Sequence, residues 1–205
     1  LNFDEDPRNE KDVPCDFVFE KNGVVETINE AGFRIRGNLS RRRPEGKKGE
    51  EHNAEQPDYR LVHFRVDFNE YHKADFHTLT SLNLKWFKDD SMFVREIYCY
   101  DLFHRFGVFT APRSSYCRLY LKFAEEESPV YYGLYEMVEP VDKQFVKTRF
   151  NANKNSDNGD LWKCLWGANL RSLNVIGIED PDGTKRRVNY DLKTNKKDFD
   201  RAKNK

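Results

Sequence analysis

The sequence predicts an α+β fold, a mostly antiparallel sheet with helices on one side. Several segments alternate apolar and polar residues with a period of two, as half-buried strands do, and turn residues join them into hairpins. One segment in mid-chain is apolar nearly all round when drawn as a helix. Aromatic residues make up 14% of the 205 residues. A disordered chain is poor in aromatic residues, so we expect a folded domain with an aromatic core.

The first elements are an arm, a hairpin and a long loop. Residues 1–14 are acidic and polar and predict a flexible arm. Alternation over 16–28, interrupted by Lys21-Asn22-Gly23, predicts a β-hairpin, and another strand follows over 32–38. Residues 40–58 contain no large apolar side chain and predict a flexible or disordered surface loop. Glutamates lie among its basic residues, which favours a solvated loop over a phosphate contact.

A strand pair and a helix occupy the middle of the chain. Residues 59–68 alternate and predict a strand with Phe64, Val66 and Phe68 on one face, and 82–87 is short and extended. A helix is expected over 91–106. Asp89 or Asp90 would cap its start, and Gly107 would end it; these are the residue types that favour such positions. Its apolar circumference predicts a buried helix whose charged side chains are paired or face a site.

Two strands, 115–123 and 130–138, form a further antiparallel hairpin, in which Tyr132, Leu134 and Val138 are expected on one face of the second strand.

A second helix and short strands follow. Pro140 precedes a helix expected over 141–150, and 161–165 predicts a strand. The segment 175–190 predicts another hairpin around an Asp-Pro-Asp-Gly turn. We expect one domain over 15–195, with 196–205 the start of a truncated C-terminal part.

Composition excludes several function classes. The 35 basic and 35 acidic residues leave no net charge, which argues against a general nucleic-acid binder. The sequence contains no run of about 18 apolar residues, which is the length that would predict a membrane span. The five histidines show no metal-ligand spacing. Cys15, Cys99, Cys117 and Cys164 lie far apart, which favours buried free thiols, with two disulfides as the alternative.

Five stretches, taken in order and spacing, carry a family resemblance over about residues 30–195. They are Ile35-Arg36-Gly37-Asn38-Leu39-Ser40, Leu82-Asn83-Leu84-Lys85 followed by Val94-Arg95-Glu96-Ile97-Tyr98, Tyr131-Tyr132-Gly133-Leu134-Tyr135-Glu136-Met137-Val138-Glu139, Gly159-Asp160-Leu161-Trp162-Lys163, and Tyr190-Asp191-Leu192-Lys193-Thr194-Asn195. Together they resemble the spore-coat CotH kinase family.

The resemblance implies a protein-kinase-like N-lobe that binds ATP with Mg²⁺ or Mn²⁺. It implies a secreted or cell-surface, metal-dependent transferase that phosphorylates Ser/Thr of extracellular or coat proteins. In kinases a strand lysine pairs with a glutamate of the following helix, and Glu96 matches that glutamate. Glu139 falls where a hinge between lobes would meet adenine, with Met137 lining the pocket. The nucleotide-binding candidates are Arg36, Arg65, Arg95, Glu96, Met137, Glu139 and Lys163.

The chain also departs from the family pattern. Family members carry a Lys-Lys pair just before the strand at 63–68, where this chain has Leu61-Val62. Lys47-Lys48, Arg60 or Arg65 could stand in for that pair. The catalytic aspartate and the metal ligands are expected beyond Lys205, so no catalytic or metal-binding residue is assigned here and the segment alone is expected to be inactive. Glu96 could instead be an ion-pair partner of Arg36 or Arg95.

A non-catalytic surface or coat module that acts in protein attachment is the alternative function. A carbohydrate-binding module is a third interpretation, which the mid-chain helix disfavours.

Overall fold

The computed structural model describes residues 9–37, 41, 44, 61–124, 127–150, 159–170, 176–177 and 188–204. The chain divides into two compact units, Leu1–Pro140 and Val141–Lys205. Most of the predicted loop at 40–58 lies outside the described residues. The observed class is α+β, a mostly antiparallel sheet with few helices.

The first unit is built on a six-stranded antiparallel sheet with one helix. Its strands follow the order β1-β2-β3-β4-β6-β5 across the sheet. Their bounds are Val13–Lys21 (β1), Val24–Arg36 (β2), His63–Asp67 (β3), Ser81–Lys85 (β4), Ser114–Leu121 (β5) and Val130–Val138 (β6), with helix α1 at Arg95–Arg105 between β4 and β5.

The predicted first hairpin is confirmed. Asn22 and Gly23 both have positive φ, 53° and 77°, which a two-residue turn between twisted strands requires. The end of the predicted arm joins this sheet, because Val13 and Pro14 pair with Phe33 and Gly32 in β2. Residues 1–8 of the arm lie outside the described residues.

One face of this sheet carries the aromatic core that the composition predicted. Phe64, Val66 and Phe68 are almost completely buried on the same face, as expected. Phe17 packs edge-on against Phe68, with ring centroids 5.0 Å apart, and Phe33 stacks on Phe64 at 4.9 Å. The other face of the sheet is therefore left for polar side chains.

The predicted facing of β6 is wrong at one point. A bulge shifts the register between β5 and β6, so that Leu119 pairs with Gly133 but Tyr120 pairs with Tyr131. Tyr132 consequently joins Tyr135 in the core, and Val138 lies on the opposite face. Gly133 has a φ of 133°, which favours glycine at such a bulge.

Helix α1 is shorter and more exposed than expected. It begins at Arg95 instead of residue 91, and none of its side chains is buried. Tyr98 and Phe103 are about half exposed. The prediction of a buried helix is wrong because an apolar circumference gives burial only where neighbouring elements cover it, and α1 packs on β5 along one side. The expected end is confirmed, since Gly107 has a φ of 74° and donates its N–H to the carbonyl of His104.

The second unit contains helix α2 (Lys143–Phe150), strands β7 (Trp162–Cys164), β8 (Ile176–Gly177) and β9 (Tyr190–Leu192), and a 3₁₀ turn (Lys196–Asp198) that leads into helix α3 (Phe199–Lys203). The expected second helix and the strand at 161–165 are confirmed. The turn of the hairpin expected over 175–190 lies outside the described residues, in which β8 pairs in parallel with β9 and β7 is antiparallel to β9.

No helix in the described part of the chain is long and apolar enough to cross a membrane. All four cysteines are free. Cys15 and Cys117 are partly buried, whereas Cys99 and Cys164 are exposed, so the expectation of buried thiols is wrong for the latter two.

Candidate functional site

The face of the first sheet opposite the aromatic core is rich in charged and polar side chains. Strand alternation directs the strand residues there, because their neighbours in sequence, such as Phe64, Leu84 and Tyr135, point into the core. We call this surface the polar face. Its members are Arg36 from β2, His63 and Arg65 from β3, Asn83 and Lys85 from β4 and Glu136 from β6, together with Glu96 and Tyr100 from α1.

An ion pair between strand and helix lies on the polar face. The Lys85 ammonium contacts both carboxylate oxygens of Glu96. The Tyr100 hydroxyl, one helical turn after Glu96, donates to Glu96 Oε1 at 3.0 Å. Burial, and then the negative charge of Glu96, raise the pKa of Tyr100, so it remains a neutral donor. Glu96 is thus held by two donors from two elements.

Asp90 fixes the start of the helix that carries Glu96. Its Oδ2 accepts hydrogen bonds from the backbone N–H groups of Arg95 at 2.7 Å and Val94 at 3.1 Å. Its Oδ1 accepts from Met92 at 3.3 Å. These bonds lower the pKa of Asp90 and satisfy N–H groups that a helix start leaves open. The expected cap is wrong in position, because Val94 is the N-cap residue of α1, but Asp90 does bond backbone N–H groups at the helix start.

Arginines from β2 and β3 lie on the same side of the sheet as this ion pair. Arg34 lies directly opposite Arg65 on adjacent strands, an arrangement that is unfavourable without counter-charges. Arg65 is compensated by Asp67, at 2.7 Å, and Arg34 lies 3.5 Å from Asp12. Arg36 has no carboxylate partner within ion-pair distance among the described residues, and burial, Arg65 and Arg34 lower its pKa. Its half-buried positive charge is available to an anion.

The polar face also contains a second carboxylate and a neutral histidine. Glu136 pairs directly across the sheet with Lys85 and is only 1% exposed. His63 has its pKa lowered to about 4 by burial and by the nearby Lys85 and Arg36. It is therefore uncharged near neutral pH.

The structure brings three of the seven candidates, Arg36, Arg65 and Glu96, onto the polar face. Met137 lies on the other side of the sheet and packs against the aromatic core. Arg95 is exposed at the start of α1. Neither contacts the Lys85–Glu96 pair, and the possible Arg36–Glu96 or Arg95–Glu96 ion pairs are replaced by the one with Lys85.

Glu139 and Lys163 take part in other pairings. The Glu139 N–H donates to the Arg113 carbonyl, and its buried carboxylate accepts from the Arg113 backbone N–H at 3.1 Å and guanidinium at 3.2 Å. It joins the start of β5 to the end of β6. Lys163 is exposed on β7 in the second unit, opposite Asp191 on β9.

Sequence reasoning missed Lys85, Tyr100 and Glu136. The family resemblance points to a Lys-Lys pair before β3, and Lys47 and Lys48 lie outside the described residues. The signal for Lys85 was present. Leu82 and Leu84 alternate with Asn83 and Lys85, which places Lys85 opposite the core at the end of the last strand before the helix.

The described residues contain no group of three or more His, Cys, Asp or Glu side chains that could hold a metal ion.

Comparison with known proteins gives one match. A family model described as CotH kinase protein matches residues 33–205, which is most of the chain and includes the polar face. No curated protein and no solved structure matches.

Proposed function

Because this chain belongs to the CotH kinase protein family, we propose that its first unit is the nucleotide-binding lobe of a protein kinase and holds the phosphates of ATP on the polar face. The kinase would act on Ser/Thr of secreted, extracellular or coat proteins. The single observation that carries this proposal is the ion pair between Lys85 at the end of β4 and Glu96 in the first turn of α1.

The order of these elements supports the comparison with protein kinases. In kinases the phosphate-binding lysine lies on a strand, and a glutamate of the next helix orients it. Here β4 carries Lys85, α1 follows directly and carries Glu96, and β5 and β6 come next. A strand, a helix and two further strands in this order are what the proposed kinase small lobe requires.

The polar face suits a polyphosphate. Lys85 would donate hydrogen bonds to phosphate oxygens, while Glu96 and Tyr100 limit the positions its ammonium can take. Arg36 would add a guanidinium that has no carboxylate partner among the described residues. ATP supplies the phosphoryl group that is transferred; these side chains bind and orient it. Because the described residues form no metal cluster, we assign no step to Mg²⁺ or Mn²⁺ ligands of this chain.

Equilibrium binding of MgATP, measured by isothermal titration calorimetry, tests this proposal. Lys85→Met and Glu96→Gln should each weaken binding about ten- to hundredfold, since a charged hydrogen bond contributes about 1.5–3 kcal/mol. Lys122→Met removes an exposed lysine just after β5 and is the matched control. If the Lys85 and Glu96 variants bind MgATP like the control, the polar face is not the nucleotide site.

A non-catalytic attachment module is the second candidate, and the exposed side of α1 favours it. Tyr98, Phe103 and Phe106 are 56%, 47% and 82% exposed, and exposed apolar surface of this kind serves protein contacts. This candidate predicts no MgATP binding by the wild-type chain and none by the variants. The same titration therefore distinguishes the two candidates.

A further inference from the structure

A second carboxylate faces the ammonium that we assign to phosphate binding. Glu136 on β6 is the direct cross-strand neighbour of Lys85 on β4. The carboxylate is buried, and its Oε1 has no hydrogen-bond partner within the described structure. Ser114 on β5 lies on the same face of the sheet as Glu136. A buried oxygen without a partner is costly, so this carboxylate is placed to interact with the lysine beside it.

Lys85 therefore has a glutamate on two neighbouring elements, and its positive charge interacts with both carboxylates. Glu96 holds the ammonium from the helix, and Glu136 lies across the strand pair. The other titratable or charged groups on this face are Tyr100 from α1, Tyr116 and Arg118 from β5, and, further along, Arg36, His63 and Arg65 from β2 and β3.

This surrounding places the titration of Glu136 near neutral pH. Burial, and then the charge of Glu96, raise the pKa of Glu136 to about 7, against the lowering effects of Lys85 and Ser114. His63, with its pKa near 4, stays neutral over this range. A change between pH 6 and 8 would thus alter the charge next to Lys85 without charging His63.

We propose that Glu136 is a positioning residue whose protonation decides whether Lys85 is available to a phosphate. When Glu136 is neutral, Glu96 is the one carboxylate that opposes the Lys85 charge. The charge of Arg36 then makes the electrostatic potential of the polar face positive. When Glu136 is ionised, two carboxylates share the Lys85 ammonium, and the added negative charge repels the phosphate. Proton gain or loss at the Glu136 carboxylate is the only chemical change. This role rests on the proposed nucleotide site.

The effect on the affinity for MgATP follows from the fraction of the protein in which Glu136 is neutral and Lys85 can bind phosphate. If only the neutral form binds, a group that titrates near pH 7 leaves about nine-tenths of the protein competent at pH 6 and about one-tenth at pH 8. The dissociation constant for MgATP should therefore rise about tenfold over this range. Glu136→Gln, which keeps the shape and the neutral state, should bind tightly at both pH values. The same rise in Glu136→Gln would overturn the proposal.

ATP also changes its protonation between pH 6 and 8. This alters the measured affinity of every variant equally, so a comparison between variants removes its effect. Glu26→Gln is the matched control: this exposed glutamate on β2 contacts His77, away from the polar face. It should keep the wild-type pH dependence. If wild type shows no greater loss of affinity than Glu136→Gln between pH 6 and 8, the proposed role is wrong.

An NMR titration without nucleotide separates this inference from the nucleotide site. In wild-type protein with ¹³Cε-labelled lysine, the Lys85 signal, assigned by its absence in Lys85→Arg, should shift with a midpoint near pH 7. This measurement does not depend on the folding of Glu136→Gln. A Lys85 signal with no such midpoint overturns the coupling to Glu136. Failure of wild type to bind MgATP at either pH contradicts the nucleotide site, and the lysine titration then decides the coupling alone.

Discussion

Removal of the Tyr135 hydroxyl tests how the aromatic core supports the strand beside the polar face. Tyr135 is completely buried. Its hydroxyl donates to the Val62 carbonyl at 2.8 Å and accepts from the Val62 N–H at 3.3 Å. Val62 immediately precedes β3, which carries His63 and Arg65 on the polar face. Tyr135→Phe keeps the ring but removes the bonds that the hydroxyl makes to the N–H and to the C=O of Val62.

The expected destabilisation is about 2–3 kcal/mol. Each lost hydrogen bond contributes about 0.5–1.5 kcal/mol, and a buried peptide group left without a partner costs about 1–3 kcal/mol. The ring contact with Phe64, at 6.2 Å between centroids, is retained, so the apolar contribution changes little. The loss of the hydrogen bonds and the cost of the unpaired buried groups overlap, so the expected change is smaller than their sum.

Urea denaturation, followed by circular dichroism, measures this change in the free energy of unfolding. Tyr131→Phe is the control, because Tyr131 is half exposed on the same strand and its variant should lie within about 0.5 kcal/mol of wild type. A Tyr135→Phe variant as stable as this control would contradict the assigned hydrogen bonds. For this comparison, the slope of the free energy of unfolding against urea concentration must be the same in all three proteins.

Two further predictions concern the helix start and the thiols. Asp90→Ala should lower the melting temperature in a thermal-shift assay and weaken MgATP binding, because α1 loses three backbone hydrogen bonds near Glu96; equal melting and affinity would argue against this role. Iodoacetamide at pH 8 should modify exposed Cys99 and Cys164 well before Cys15 and Cys117, because burial raises the pKa of the latter two to about 11 and about 12. Peptide mass spectrometry gives the order, and equal rates would contradict it.

Local sequence signals predicted most strands of the first unit. Asn22-Gly23 and the alternation around it were enough for the first hairpin, and the same alternation gave the core face of β3. Both signals act between near neighbours in sequence. The parallel pairing of β8 and β9 could not be read in this way, because parallel pairing depends on where the connecting segment leads the chain.

The candidate site was predictable in part. Glu96 was identified through the family resemblance, and Asp90 through its position before a helix. The alternation in β4 indicates Lys85, whereas the family resemblance points to a lysine pair before β3. Glu136 had no local signal: its burial and its place beside Lys85 depend on the pairing of β4 with β6, whose sequences are far apart. The exposure of α1 was likewise decided by what covers the helix.

An acyl-phosphate derivative of ATP tests the central claim most directly. Its acyl carbon is attacked by a lysine amine that lies against the phosphates, which forms an amide and releases ATP. Peptide mass spectrometry of the labelled chain should find the acyl group on Lys85, and excess MgATP should protect that lysine. Exposed Lys122 should be labelled slowly and without protection. Labelling that spares Lys85, or that excess MgATP does not reduce there, would contradict a nucleotide site at the Lys85–Glu96 pair.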